Sequence, residues 1–304
     1  MKLSIITINY NNLHGLQKTI ASVVAQTCKD FEWIVIDGGS TDGSKELIEQ
    51  HQEHFSYWCS EPDKGIYNAM NKGIVQADGD YCLFLNSGDK LHSTVVVEYI
   101  EKELYDTDFV AGDTWLVDDE YRFVSEKKSP SFISKYYLLE MALCHQGLFI
   151  RTDLLKERPY DESLRIVADW EQTFYEILIK GRTYKHIERI VSDYQVGGIS
   201  EKNDLQVIRE RKMVRDLYYT PQKQDEIMLS HFFFEGKSQS MYKLTEIAYT
   251  AFVNKCYSQQ EYVRTFNKYK EVILTHGAWH QRFFILMCLN GCMKMARNIY
   301  HLIK

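Results

Sequence analysis

The run LSIITINYNNLHGLQKTIASVVAQTCKDFEWIVIDGGSTDGS, residues 3–44, carries the pattern that decides the fold. Residues 3–8 form a short apolar stretch, partly β-branched, which suits a strand buried on both faces. Polar loop chemistry follows at residues 9–12, and then Leu16, Ile20, Val23 and Val24 recur at helical spacing. Residues 31–36 make a second buried strand, closed by the turn-rich DGGSTDGS. Strand, helix and strand in that order imply a parallel sheet with right-handed crossovers.

The same alternation continues outward. A helix is expected through Leu47 and Ile48, a strand near residues 57–59, a helix over 69–75 and a strand over 80–85, closed by Asn86-Ser87-Gly88-Asp89. Ligands of such sheets bind at the carboxyl ends of the strands. Here the loops that follow the strands are the ones rich in Asp, Asn, Ser and Gly. Further strands are expected at 109–111 and 147–150. A helix is expected over 169–179, with Trp170, Phe174, Ile177 and Leu178 on one side. From residue 204 onward the pattern is almost wholly helical, which places a domain boundary near residue 205.

Composition narrows the function classes. With 45% hydrophobic and 26% charged residues among 304, the chain has the mix of a soluble globular protein. A net charge of -6 gives no basic footprint for nucleic acid, so none is expected as a partner. The seven cysteines show no CxxC pair and no zinc-like spacing, which reads as a reducing compartment. Cys288 and Cys292 read as packed thiols. The opening strand is too short for a signal-peptide core, and no apolar run reaches membrane-spanning length. A cytoplasmic location is expected.

Three segments, SIITINYNN (4–12), IDGGSTDGS (36–44) and EPDKGIYNAMNKGIVQADGDYCLFLNSGD (61–89), closely resemble the family 2 glycosyltransferases of the GT-A fold. The last looks most like bacterial enzymes of exopolysaccharide and O-antigen assembly. The resemblance covers roughly residues 1–200. It implies an α/β fold, a Rossmann-like, mostly parallel central sheet flanked by helices, with a C-terminal helical extension. The expected division is a catalytic domain at 1–204, its donor half 1–92 and acceptor half 93–204, and a helical region at 205–304.

The resemblance also implies an inverting transfer of a sugar from a nucleoside diphosphate carrier, with uridine as the preferred base. The acceptor would be a hydroxyl of a saccharide or a lipid-linked molecule. Tyr10 offers a ring face for the base, and Asp37 would accept the N3–H of uracil. Asp63 would orient Lys64 or bind ribose, and Lys64 would meet the base or the diphosphate. The family's Asp-X-Asp metal run reads Asn86-Ser87-Gly88-Asp89 here, leaving Asp89 as the charged ligand for Mn²⁺ or Mg²⁺ and Asn86 as a neutral donor-side group. Asp169, opening a helix, matches the family's general base, with Glu171 ranked below it because it would face elsewhere. His145 and Gln146 match a pair on the acceptor side. The paired Gly197 and Gly198 suggest a close backbone approach or a flap.

Other readings compete. A scaffold or subunit that binds nucleotide sugar without transferring it would account for the missing carboxylates of the metal run, but not for the retention of both Asp89 and Asp169. A dinucleotide-dependent oxidoreductase is disfavoured because the Gly-rich turn is not GxGxxG and follows the second strand. The carboxy-terminal helices, with Trp279, Phe283, Phe284, Leu286 and Met287 near Lys294, Arg297 and Lys304, are candidates for packing, for a homodimer surface or for contact with the inner membrane face.

Overall fold

The structure is a computed structural model, and it describes residues 3–198 and 203–220 together with 223, 224 and 227. The first compact unit is Met1–Thr220 and the second is Pro221–Lys304. The aromatic and basic residues between Trp279 and Lys304, the pair Cys288 and Cys292, and the expected dimer or membrane surface lie outside the described residues.

The chain begins β1 (Leu3–Asn9), α1 (Leu13–Val24), β2 (Phe31–Asp37), α2 (Ser44–Gln50), β3 (Tyr57–Ser60), α3 (Ile66–Gln76) and β4 (Tyr81–Phe84). The chain continues through β5 (Lys90–Leu91), α4 (Val96–Ile100), β6 (Phe109–Val117), β7 (Phe123–Lys127) and α5 (Lys135–Glu140). A 3-10 turn at His145–Gly147 leads into β8 (Leu148–Arg151) and α6 (Thr152–Glu157). Next come α7 (Ala168–Phe174), β9 (Tyr184–Gln195) and α8 (Asp204–Tyr218).

One sheet runs β3-β2-β1-β4-β8-β6-β9-β5, with β7 paired to β6. The β3-β2-β1-β4 half is parallel throughout, as the alternation requires. Direction reverses at β8, which is antiparallel to both β4 and β6, while β9 runs parallel to β6.

The apolar runs of β1 and β2 are buried on both faces because each face meets a helical layer. Ile5, Trp33, Val35 and Leu83 join Leu16, Ile20 and Val23 of α1 and Val96, Val97 and Ile100 of α4 in one core. The alternate face carries Ile6 and Ile36, which meet α3 at Gly73. A period of two thus divides each strand between two helical layers. The expected 169–179 helix is α-helical only through Phe174, and Tyr175–Ile179 forms a π-helical turn. β9 was not foreseen; its sequence, YKHIERIVSDYQ, lacks a clean alternation, and its pairing with β6 contains register shifts.

α8 belongs to the first unit and braces the turn that enters α7. The Glu210 carboxylate accepts from the backbone N–H groups of Arg165 (2.9 Å) and Ile166 (3.0 Å). Arg211 stacks over the Trp170 ring, and the Tyr218 hydroxyl donates to Glu171. Among the described residues no helix is long and apolar enough to cross a membrane.

A methyl group added at Gly73 would lie 2.5 Å from Ile6 Cγ2. Gly73→Ala should therefore destabilise the protein by about 1–3 kcal/mol, the usual cost of overpacking a helix–sheet contact. Thermal unfolding checks this; an unchanged midpoint would mean that α3 shifts without cost.

Candidate active site

The carboxyl ends of β1, β2, β3 and β4 finish on one edge, and a buried carboxylate ties three of them together. Asp37, the last residue of β2, is fully buried. Its Oδ1 accepts from Asn9 Nδ2 (2.7 Å) and Ser40 Oγ (2.6 Å), and its Oδ2 from Ser40 N (2.9 Å) and Ser60 Oγ (2.6 Å). Burial alone would raise its pKa, but the bonds from Ser40, Ser60 and Asn9 outweigh it and hold the carboxyl below its usual value. Sequence reasoning offers Asp37 to a base; the structure closes it, because four donors already occupy its oxygens.

The next residue, Gly38, allows a close approach. A side-chain carbon there would lie 2.4 Å from Asp63 Oδ2 and 3.2 Å from the Tyr10 ring. The Asp63 carboxylate and the Tyr10 ring therefore converge on the space that a glycine keeps clear. Tyr10 is 66% exposed, with its ring face available. Asp63 Oδ1 accepts from Gly65 N (2.9 Å), and Gly65 has φ 130, the left-handed side that favours glycine. Lys64 is exposed in this loop, its N–H donating to Asn68 Oδ1.

The loop after β4 carries the second group. Gly88, at φ 105, is fixed by Thr19, which accepts from its N–H and donates to the Asp89 carbonyl, and by the Tyr121 hydroxyl, which donates to the Gly88 carbonyl. Asp89 is 5% exposed. Its Oδ2 accepts from Gln146 Nε2 (3.0 Å) and its Oδ1 from Gln195 N (3.3 Å). Burial pushes its pKa up to about 6, with Gln146 and His145 pulling the other way. Among the described residues no lysine or arginine pairs with it, and no three His, Cys, Asp or Glu side chains converge as a metal cluster. A buried carboxylate without a countercharge suits a cation that takes its other ligands from phosphate and water.

Asp169, in the first turn of α7, is the third group. Tyr67 Oη donates to its Oδ1 (2.8 Å), and His145 Nδ1 lies 3.0 Å from its Oδ2. Burial alone would raise its pKa too; the hydrogen bond and electrostatic pull of His145, with the bond from Tyr67, outweigh it, so the carboxyl lies below its usual value. Asn86 Nδ2 lies 3.1 Å from His145 Nε2, and Asn86 Oδ1 is buried with no hydrogen-bond partner. Glu171 turns away into a pair with Arg158 at 2.5 Å.

Two consecutive residues therefore hold two carboxylates: His145 faces Asp169 and Gln146 faces Asp89. Sequence reasoning missed Tyr67, Tyr121 and Gln195. Tyr67 sits inside the GIYNAMNKGI run, where a tyrosine followed by a polar residue on a buried helix was the available signal.

Residues 4–155 match the family described as Glycosyl transferase family 2. The chain belongs to this family. Its relatives include an uncharacterized glycosyltransferase of Mycobacterium tuberculosis, 36% identical over 173 residues, which are 56% of this chain and 66% of that one. The match thus spans slightly less than two thirds of that relative. A glycosyltransferase named for PGL/p-HBAD biosynthesis, also from Mycobacterium tuberculosis, is 28% identical over 205 residues, covering 65% of this chain and 78% of that one. The fold matches that of S. aureus TarS 1-349 in complex with UDP-GlcNAc, with a TM-score of 0.55 and 17% identity, over 91% of this chain and 82% of that one.

The lowered pKa of Asp37 has a defined linkage sign. Its contribution to stability is fully present above its unfolded value of about 3.9 and is lost as pH falls through the lower folded value. Asp37→Asn should lower the melting temperature near neutrality and flatten the acid limb below about pH 4. Melting curves across that range check it; a parallel acid limb in the variant would remove Asp37 from this role.

Proposed function

We propose that this chain transfers a sugar, with inversion, from a nucleoside diphosphate carrier to a hydroxyl of a saccharide or lipid-linked acceptor in surface glycan assembly. The observation that carries this reading is the His145–Gln146 pair, which sets the ionised Asp169 beside Asp89. One carboxylate is held charged and the other has no countercharge among the described residues. Such a pair can serve as a proton acceptor next to a site for a bound anion.

Tyr10 and Asp63 receive the base. The ring stacks on one face, and the Asp63 carboxylate accepts an N–H of the kind uracil carries at N3. Asp37 builds that pocket rather than lining it. TarS, the neighbour in fold, binds UDP-GlcNAc, which supports uridine here. Lys64 meets the diphosphate, and Asn86 offers its unpartnered Oδ1 on the donor side. Asp89 would hold the divalent ion, Mn²⁺ or Mg²⁺, whose chemistry is to neutralise charge growing on the leaving diphosphate.

Asp169 accepts the proton of the acceptor hydroxyl as that oxygen bonds to the anomeric carbon. The bond from that carbon to the diphosphate oxygen breaks on the opposite face, and the nucleoside diphosphate departs. Tyr67 and His145 keep Asp169 ionised and aimed. The catalytic domain extends past the boundary expected near residue 205 and takes in α8, which braces the entry to α7 within the same compact unit. A cytoplasmic placement, with attachment to the inner membrane face through the carboxy-terminal region, completes the reading.

Thermal shift with UDP, GDP and dTDP, each with and without Mn²⁺, tests the donor side. One nucleotide should stabilise the chain, and Mn²⁺ should strengthen its effect, by mass-action linkage. Asp89→Asn should abolish the Mn²⁺ increment. Asp63→Ala should weaken UDP binding by about 10- to 100-fold, the worth of a charge-assisted hydrogen bond; unchanged binding would return the base to another acceptor. Asp169→Asn should leave nucleotide binding intact and lower transfer by about 10²- to 10⁴-fold. Wild-type transfer by that variant would overturn the assignment.

A further inference from the structure

Four side chains from distant parts of the sequence form one hydrogen-bonded line: Asn86, His145, Asp169 and Tyr67. The chemistry of its members fixes the direction of each bond. An ionised carboxylate only accepts, so the imidazole nitrogen at 3.0 Å, Nδ1, carries a hydrogen. In a neutral imidazole Nε2 is then bare and can only accept. Its partner at 3.1 Å must donate, and Asn86 presents its amide nitrogen there. Tyr67 donates to the remaining carboxylate oxygen. Every donor in the line points towards Asp169.

That arrangement has a visible cost. With its nitrogen committed to His145, Asn86 leaves Oδ1 buried and unpartnered. Turning the amide over would place that oxygen against Nε2, which is favourable only if Nε2 carries a second hydrogen. The imidazole would then be a cation. The amide therefore has two orientations, and each corresponds to one protonation state of the ring.

We infer that Asn86 is a positioning residue for the proton-accepting carboxylate: it fixes His145 as the neutral Nδ1–H tautomer, and His145 in turn orients Asp169. The inference rests on the reading of Asp169 as the group that receives the acceptor's proton. It also gives the asparagine of Asn86-Ser87-Gly88-Asp89 a task that a carboxylate could not perform. An ionised carboxylate at residue 86 only accepts, so it would draw a hydrogen onto Nε2 and leave an imidazolium between two carboxylates. Asn86 is thus tied to the acceptor side of the reaction through His145, while Asp89 serves the donor side through a separate contact with Gln146.

Nitrogen-15 NMR of the histidine-labelled protein at neutral pH reads the ring state directly, and needs neither substrate nor activity. The expected result is that His145 is neutral, with Nδ1 protonated and Nε2 bare. Asn86→Asp should shift Nε2 to its protonated form and lower kcat by about 10- to 100-fold, the usual effect of losing the partner that orients a functional group. His145→Asn, which keeps an N–H near the Nδ1 position, should retain more kcat than His145→Ala.

An unprotonated Nδ1 in the wild type would overturn the inference, as would full kcat in Asn86→Asp or equal losses in the two His145 variants. If Asn86→Asp fails to fold, the wild-type spectrum and the His145 pair still decide it. Failure of the transferase reading would show separately, as normal transfer by Asp169→Asn or an absence of any nucleotide binding.

Discussion

A carboxylate sealed from water at the end of β2 organises the donor edge. Asp37 is fully buried, and an ion in that position is tolerable only if its lone pairs are satisfied. The donors come from β1, from the turn after β2 and from the end of β3. Satisfying the charge therefore aligns three strand ends at one level. Gly38, the Tyr10 ring and the Asp63 carboxylate all hang from that alignment. Had Asp37 remained open to a ligand, it could not have served as the tie.

Two further carboxylates share a neighbourhood but not a charge state. Asp89 is buried with no countercharge among the described residues, and its pKa rises to about 6. Asp169 is surrounded by donors that outweigh its burial, and its pKa falls. A single 3-10 turn holds both, through His145 and Gln146. Opposed environments for paired acids are how one site separates a proton acceptor from an anion-binding position.

Support for Asp169 extends well beyond its contacts. Glu210 of α8 caps backbone N–H groups in the turn before α7, and Arg211 covers Trp170, the residue after Asp169. On the other side Asn71 of α3 holds the Tyr160 backbone, which ties α3 to the segment that leads into α7. Asp169 is thus fixed by elements before and after it in the chain.

The sequence by itself determined the parallel half of the sheet, since the apolar period of each strand and the helical spacing between strands are local properties. It also determined which loops are polar at the strand ends, and hence that Tyr10, Lys64 and Asp89 belong to one edge of the sheet; Asp169 joined them only through the family resemblance. Only the tertiary structure decided how the acids divide their work. Asp37 looked open in a turn and is sealed; Asp63 looked like an accessory to Lys64 and fills the space beside Gly38. Tyr67 reaches Asp169 across 102 residues and His145 across 24, and no periodicity records such a pairing. Local pattern reports which face of an element is apolar. Whether a carboxylate is charged depends on burial and on donors that arrive from elsewhere in the chain, and those exist only after folding.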